Sequence, residues 1–368
     1  MSAGRLGASA SQLCAGLPDW AGDDLADIWP VFHRHATAIL AGQPPLRPAR
    51  AAPAELEHVL AAAAKLPATL APEAVRRFLD SHFTPHAVEP RTGLLTGYYE
   101  PVVDGSRRRG PGFGAPVLPR PPDLVTLAQG SQHPDLPAEF SAGRALPGGS
   151  LAPYADRATL ENYGILAEAS PVVWLRDWTE VFLIQVQGSA RVRLEDASQI
   201  RLVYAGRNGH PYTSIGRLLI EAGEIGEAEM SLDRLKAWIR AHGQEPGDKG
   251  RQLMQRNSSY IFFRAEDAGL DSFGPTGGAG LPLTSLRSIA VDRSRWSYGL
   301  PFWITTRVPV PGFGDRPLRR LFLAEDTGSA IVGPARADLF LGSGDQAGRL
   351  AGQVRHQAEF TALLPRVQ

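Results

Sequence analysis

Residues 321–344 read LFLAEDTGSAIVGPARADLFLGSG, and this stretch carries the clearest structural and chemical signal in the chain. The apolar run at 321–324 predicts a buried strand, which leads Asp326 onto a Thr-Gly turn. Asp338 lies in the next apolar run, at 337–341, which predicts a second strand. Each aspartate is therefore either a turn residue that binds its own backbone or a group with a chemical role.

The tetrapeptide that begins at Asp326, Asp-Thr-Gly-Ser, is the fingerprint of pepsin-like proteases. In those enzymes two such aspartates share one proton and activate a water molecule. A second Asp-Thr-Gly or Asp-Ser-Gly is required, and this chain has no other copy of either. An aspartic protease therefore stays only as a remote alternative.

The longer pattern D-T-G-x-A-I-x-G-x-x-x-x-D-L-F-x-G-x-G, at 326–344, resembles the three-aspartate ("3D") segment of the MltA-type membrane-bound lytic murein transglycosylases. Further segments are similar to that family and follow its order: TGYYEP at 96–101, QVQGS at 185–189, YAGRNGHPYTSIG at 204–216, NSSYIFF at 257–263 and SIAVD at 288–292. The resemblance covers roughly residues 90–356.

The resemblance implies a carbon–oxygen lyase that cleaves the β-1,4 bond between N-acetylmuramic acid and N-acetylglucosamine in peptidoglycan. The product is a 1,6-anhydromuramic acid end, made without a hydrolytic water. An ordinary glycosidase uses two carboxyl groups. Here the C6 hydroxyl of the sugar attacks the anomeric carbon, so one aspartic acid acts first as acid and then as base. No cofactor and no metal ion is implied.

Two aspartates receive catalytic roles from the resemblance. Asp338 matches the family's acid/base. Asp326 is its neighbour, either as a like charge that raises the pKa of Asp338 or as a hydrogen-bond partner that orients it. Asp345 belongs to the same segment, and its role stays open.

A glycan groove also needs aromatic faces and groups that pair with sugar hydroxyls and N-acetyl groups. Six residues in the family-like segments are the candidate substrate-binding residues: Tyr98, Glu100, Gln185, Gln187, Ser189 and Tyr204. The run VFLIQVQGS at 181–189 predicts a strand, which would place both glutamines on one face.

The order of predicted elements gives a mainly β protein with an α+β insertion and a helical N-terminal lead-in. The resemblance implies a double-psi β-barrel, formed by the first strand in 1–104 together with 266–368, and a smaller inserted domain at 105–265. We expect the glycan groove between these domains. Helical patterns include 213–222, 232–242 and 248–256, strands include 93–103 and 200–204, and 106–122 is expected to be loop.

Composition excludes several classes of protein. The 368 residues carry 38 basic and 38 acidic side chains, and this balance argues against a nucleic-acid binder. Cys14 is the only cysteine, so an intrachain disulfide and a cysteine-based metal site are excluded. The nine histidines lack metal-ligand spacing, and no P-loop motif is present.

No segment reaches the roughly 18 consecutive apolar residues that span a bilayer, and the N-terminus shows no signal-peptide core. The resemblance nevertheless implies a place in the cell envelope, in the periplasm and associated with the outer membrane, where a monomer would act on peptidoglycan strands during cell-wall turnover. The non-enzymatic alternative is a double-psi barrel that binds cell-wall polysaccharide without cleaving it.

Overall fold

The computed structural model describes residues 14–128, 130–162, 170–268, 273–308 and 317–367. Residues 1–13, on which the signal-peptide prediction depends, lie outside this range. The helices are α1 (Trp29–Leu40), α2 (Ala54–Ala64), α3 (Pro72–His82), α4 (Arg157–Asn162), α5 (Trp178–Gln187), α6 (Ile215–Glu221), α7 (Leu232–Ala241), α8 (Lys249–Gln255) and α9 (Gly344–Gln353). Short 3-10 turns lie at Cys14–Gly16, Trp20–Gly22 and Glu227–Glu229.

The strands alternate with these helices along the chain. They are β1 (Phe83–Ala87), β2 (Gly93–Glu100), β3 (Val102–Ser106), β4 (Ala115–Val117), β5 (Leu124–Thr126), β6 (Ala142–Ala145), β7 (Leu151–Ala152), β8 (Val173–Leu175), β9 (Ser189–Leu194), β10 (Gln199–Arg207), β11 (Ile261–Asp267), β12 (Ser288–Val291), β13 (Pro301–Thr306), β14 (Leu318–Asp326), β15 (Arg336–Ser343) and β16 (Arg355–Pro365). The content agrees with the predicted mixture of a mainly β part and an α+β part.

Each of the three N-terminal helices has a proline in its first turn or directly before it. Pro30 stands in the first turn of α1, so it starts that helix rather than kinking it. Glu55 and Glu57 lie in the first turn of α2, where acidic side chains complement the helix dipole. Trp29 and Phe32 of α1 are buried and stack edge-on against Phe78 of α3. These apolar faces hold the lead-in together.

The seven-stranded sheet has the order β1-β16-β13-β14-β12-β15-β2, and β2 also pairs with β16. Six of the strands therefore close into a ring, and β1 pairs with the C-terminal part of β16, beyond the part that pairs with β2. β12 runs parallel to β14 and antiparallel to β15. Closure leaves these six strands without a free edge, which satisfies their backbone groups inside the sheet.

A second sheet has the order β11-β10-β9-β3-β8-β4, and β5, β6 and β7 form a small third sheet. The core on the second sheet is made of aliphatic side chains from its strands and from α5, including Val181, Ile184, Val192 and Leu202. Helices α5, α7 and α8 meet at Phe182, which packs with Ile239 and Met254.

Contacts divide the chain into two compact units. Unit 1 contains the described residues up to Gly97, then Thr276–Leu341 and the described residues from Gln353 onward. Unit 2 contains Tyr98–Pro275 and Gly342–Gly352. The domain limits predicted from sequence lie near residues 104 and 266.

The predicted strand at 181–189 is wrong, because Trp178–Gln187 is helix α5. The β-branched and aromatic residues of VFLIQVQGS favoured a strand, but the ends of the segment carry helix signals. Asp177 caps the helix by accepting a 2.8 Å hydrogen bond from the amide of Glu180. Gly188 ends it with a φ of 82°, in the left-handed region that favours glycine.

Two smaller predictions also need correction. The expected strand at 93–103 is two strands, β2 and β3, which are separated by Pro101 and belong to different sheets. The expected loop at 106–122 contains the short strand β4. Across the described ranges, no helix has the length and apolar character needed to cross a membrane.

Candidate active site

Asp326 and Asp338 stand on opposite sides of one small residue. Ala290 of β12 is the cross-strand partner of Asp326 on β14 and of Asp338 on β15. Neighbouring strands lie about 4.8 Å apart, so the Cα atoms of the two aspartates are roughly 10 Å apart in one row across the barrel wall. Since aligned partners point to the same face of a sheet, both carboxyl groups lie on the same side of the wall.

Asp338 is half-buried and held by a hydrogen-bond chain. The hydroxyl of Thr96, on β2, donates to Oδ1 of Asp338 at 2.5 Å. The guanidinium of Arg336 donates to the Thr96 hydroxyl at 2.8 Å and also to the carbonyl of Ala337. Because Arg336 precedes Asp338 by two residues on β15, the two side chains share a face.

Burial raises the pKa of Asp338 to about 6. The hydrogen bond from Thr96 and the charge of Arg336 oppose this rise, and the negative charge of Asp326 adds to it. Burial also lowers the pKa of Arg336, which the Asp338 carboxylate partly restores. A carboxyl group with a pKa near neutrality can both donate and accept a proton, as a general acid and base must.

Asp326 is almost fully buried at the end of β14. Its Oδ1 accepts a 2.7 Å hydrogen bond from the amide of Gly278 and forms an ion pair with the guanidinium of Arg47. The negative charge of Asp326 acts to raise the pKa of Asp338, and both roles predicted for Asp326 stay predictions. The carboxylate of Asp326 is oriented by Arg47 and Gly278.

Glu100 lies in the protein interior, with its side chain fully buried. Its carboxylate accepts hydrogen bonds from Arg201 at 2.7 Å and from the Ser343 hydroxyl at 2.6 Å, and it pairs with Arg191 at 3.5 Å. Both oxygens of the Glu100 carboxylate therefore accept hydrogen bonds from within the protein. These contacts support a structural role for Glu100 within unit 2, and its predicted contact with substrate stays a prediction.

Gln185 and Gln187 do not share a face, contrary to the prediction. Two positions along helix α5 correspond to a rotation of about 200°, so the two side chains point to opposite sides of the helix. Gln185 is buried and donates to the carbonyl of Ile261 at 3.1 Å. Gln187 is half-buried, and its side-chain oxygen accepts from the amide of Tyr99 at 3.2 Å.

The remaining predicted binding residues are distributed over unit 2. Tyr98 and Ser189 are buried, whereas Tyr204 is half-buried at a bulge in β10. Asp345 is exposed in the first turn of α9, and its charge adds to burial in raising the pKa of Tyr99 to about 12. Among the described residues, no three His, Cys, Asp or Glu side chains converge as metal ligands would.

Sequence reasoning missed three residues of the site: Arg47, Thr96 and Arg336. Thr96 lies in the segment TGYYEP, but nothing in that segment indicates which distant strand it contacts. Arg336 could have been found from the period of two along β15. Nothing local identifies Arg47, because 279 positions separate it from Asp326.

Two family models match the chain. The MltA specific insert domain matches residues 94–264, and the 3D domain matches residues 287–364. Membrane-bound lytic murein transglycosylase A of Escherichia coli (strain K12) is 31% identical over 270 residues, which cover 71% of this chain and 63% of that protein. The Vibrio cholerae protein of the same name is 31% identical over 268 residues, 72% of this chain and 63% of its own length. The chain thus spans less than two thirds of these curated relatives.

Solved structures agree with the sequence comparisons. A membrane-bound lytic murein transglycosylase from Agrobacterium tumefaciens superposes with a TM-score of 0.85 at 33% identity, covering 97% of each chain. MltA from Neisseria gonorrhoeae superposes with a TM-score of 0.76 at 30% identity, covering 100% of this chain and 96% of the other. These similarities extend over both units of the chain.

Proposed function

Since the chain belongs to the family of membrane-bound lytic murein transglycosylase A, we propose that it cleaves the β-1,4 bond between N-acetylmuramic acid and N-acetylglucosamine in peptidoglycan. The products are a 1,6-anhydromuramic acid end and a new N-acetylglucosamine end. The observation that carries the proposal is Asp338: a half-buried carboxyl on a barrel strand, with a pKa raised to about 6 and a second carboxylate across Ala290.

In the proposed reaction, Asp338 begins in its protonated form. It donates its proton to the glycosidic oxygen while the bond from that oxygen to C1 of N-acetylmuramic acid breaks. The resulting Asp338 carboxylate then accepts the proton of the C6 hydroxyl as O6 bonds to C1. The proton count on Asp338 is restored, water is not consumed, and one carboxyl group serves both steps.

Asp326 supports both steps of this proposal. Its negative charge favours the protonated form of Asp338 before cleavage, because two like charges in one site oppose each other. Its carboxylate also favours positive charge developing at C1 of the sugar, since opposite charges attract strongly where water is sparse. No cofactor is needed, because the sugar supplies the nucleophile.

Of the predicted substrate-binding residues, we retain Gln187 and Tyr204 as contacts to the glycan, because both are half-buried and carry polar groups. We also propose that the closed ring of six strands is a double-psi β-barrel, which the parallel pairing of β12 with β14 supports. A monomer in the cell envelope, in the periplasm and close to the outer membrane, would fit relatives that are named membrane-bound.

The test is product analysis of purified peptidoglycan sacculi by chromatography and mass spectrometry. We expect muropeptides with 1,6-anhydro ends from the wild type and none from Asp338→Ala. Asp345→Ala is the matched control, since it removes an exposed carboxylate from the same sequence segment. Reducing ends would instead mean a hydrolase, and binding to sacculi without products would mean a polysaccharide-binding module. A new N-terminus on a polypeptide substrate would mean a protease. Any of these three results overturns the proposal.

A further inference from the structure

The segment after α1 runs along the glycine-rich turn at 276–280, within unit 1. The amide of Arg47 donates to the carbonyl of Gly278 at 3.0 Å, and the carbonyl of Arg47 accepts from the hydroxyl of Tyr298 at 3.0 Å. The side chain of Gln43 donates to the carbonyl of Gly280 at 2.5 Å. Hydrogen bonds therefore hold the backbone of Arg47 through both its amide and its carbonyl, independently of its side chain.

The side chain of Arg47 forms an ion pair with Asp326, at the oxygen that also accepts from the amide of Gly278. Both side chains are mostly covered, with 22% of Arg47 and 9% of Asp326 exposed. Water and salt screen such a pair less than a surface pair. Each of the two charges therefore acts more strongly on neighbouring groups. Gly278 itself leaves no room for a side chain, since a Cβ there would lie 2.3 Å from the Tyr298 hydroxyl.

We propose that Arg47 is a positioning residue for the acid/base chemistry: it holds the Asp326 carboxylate against the glycine-rich turn and cancels part of the negative charge that Asp326 presents to Asp338. This inference builds on the proposed function, because it concerns the same two aspartates. Arg47 acts only through Asp326 in this scheme, and the direct electrostatic partners of Asp338 are Arg336 and Asp326.

The other titratable and charged groups around the two aspartates come from every element packed there. Arg336 of β15 acts on Asp338 directly, and Arg355 of β16 acts on Arg336. Glu325 of β14 lies beside His35 of α1. Tyr298 and Arg293 lie between β12 and β13. Burial raises the pKa of Tyr298, so its hydroxyl stays neutral under ordinary conditions. All of these groups remain in an Arg47 variant, so a difference from the wild type reports on Arg47.

The experiment measures the pKa of Asp338 directly, by ¹³C NMR titration of the full chain with carboxyl-labelled aspartate. Comparison with Asp338→Asn assigns the Asp338 signal. In Arg47→Gln the charge of Asp326 is no longer cancelled, and we expect the pKa of Asp338 to rise by about half a unit to one unit. Arg47→Lys, which keeps the charge, should recover at least half of that shift. Arg50→Gln removes the same charge from an exposed position on the same segment and should leave the pKa unchanged.

A double-variant cycle distinguishes action through Asp326 from a general disturbance of the fold. In an Asp326→Asn background, Arg47→Gln should produce no further shift. An unchanged or lowered pKa in a folded Arg47→Gln protein would overturn the inference, and so would an equal shift in both backgrounds. If Arg47→Gln fails to fold, Arg47→Met, which also removes the charge, is compared with Asp326→Asn/Arg47→Met in the same way. Because the readout is a titration, it stands even if the protein proves not to cleave peptidoglycan.

Discussion

The hydroxyl of Thr96 donates a 2.5 Å hydrogen bond to the carboxyl of Asp338, a residue 242 positions further along the chain. The same hydroxyl accepts from Arg336, so its single proton is directed at Asp338. This chain of donors favours the carboxylate, whereas burial and Asp326 favour the neutral acid. The protonation state of Asp338 is thus a balance between opposing effects, and each of them can be removed separately.

Replacing Thr96 by valine removes the donor and keeps the shape of the side chain. We expect the pKa of Asp338 to rise by about half a unit to one unit, because a hydrogen bond to the charged form has been lost. The basic limb of the pH–rate profile should move up with it. Thr96→Ser retains the hydroxyl and should retain the wild-type pKa. An unchanged ¹³C titration of Asp338 in the valine variant would contradict the role given to this bond.

The raised pKa of Asp338 also makes stability depend on pH. The folded chain binds this proton more tightly than the unfolded chain, so the stabilisation is complete below about pH 4 and is lost as the pH rises through about 6. Asp338→Asn stays neutral throughout. At pH 7.5 we expect its free energy of unfolding to exceed that of the wild type by about 1–3 kcal/mol.

Urea unfolding at pH 4 and pH 7.5 checks this expectation, with a difference that nearly vanishes at the lower pH. Asp345→Asn controls for the loss of one negative charge at an exposed site. A variant that is less stable than the wild type at pH 7.5 would show that the Asp338 carboxylate is favourably paired in the folded protein.

A buried ion pair fastens the N-terminal lead-in to the barrel. Arg287 contacts Asp23 through two hydrogen bonds of 2.9 Å and donates to the carbonyl of Leu321, and both charged side chains are nearly inaccessible. Asp23→Ala would leave the buried guanidinium with only the exposed Asp27, at 3.9 Å, as a charged partner, and we expect a loss of about 3–5 kcal/mol in the free energy of unfolding. Arg217→Ala breaks an exposed helix pair with Glu221 and should cost under about 1 kcal/mol. Similar losses for the two variants would contradict this assignment.

Glu100 and Gln187 provide a contrast between structure and binding. Glu100→Gln removes the charge that Arg191 and Arg201 share, and we expect a loss of about 3 kcal/mol in stability. Affinity of the folded protein for peptidoglycan should not change. Gln187→Ala should weaken binding to sacculi, and the loss of an acceptor for the Tyr99 amide should cost only about 1 kcal/mol in stability. Reduced affinity in folded Glu100→Gln would restore the substrate-contact role that its burial argues against.

Helices with a clear apolar period were predicted well from sequence, and α6, α7 and α8 lie where the pattern placed them. The segment of α5 was misread because its residues favour strands individually, and its cap at Asp177 and its terminal Gly188 were outweighed. Propensity within a segment is weaker evidence than the chemistry of its ends, since caps satisfy backbone groups that would otherwise be unpaired.

Asp326 and Asp338 could be singled out from the sequence because they lie in one short segment, and their catalytic roles stay predictions. Thr96 and Arg47 could not, since strand pairing and a loop contact bring them from distant parts of the chain. Burial of Glu100 was equally invisible, because a carboxylate on a strand looks the same whether it faces water or two arginines. These contacts depend on which distant segments pack together, and a single sequence does not show that packing.

The ring of strands also sets the order in which the molecule can assemble. β1 and β2 are made early, yet both pair with β16, the last strand of the barrel. In the ring, β2 first finds a partner in β15, and β1 pairs only with β16, so both wait until after Tyr98–Pro275, most of unit 2, has been synthesised. The hydrogen bond between Thr96 of β2 and Asp338 of β15 therefore forms late in synthesis, because 242 positions separate the two residues.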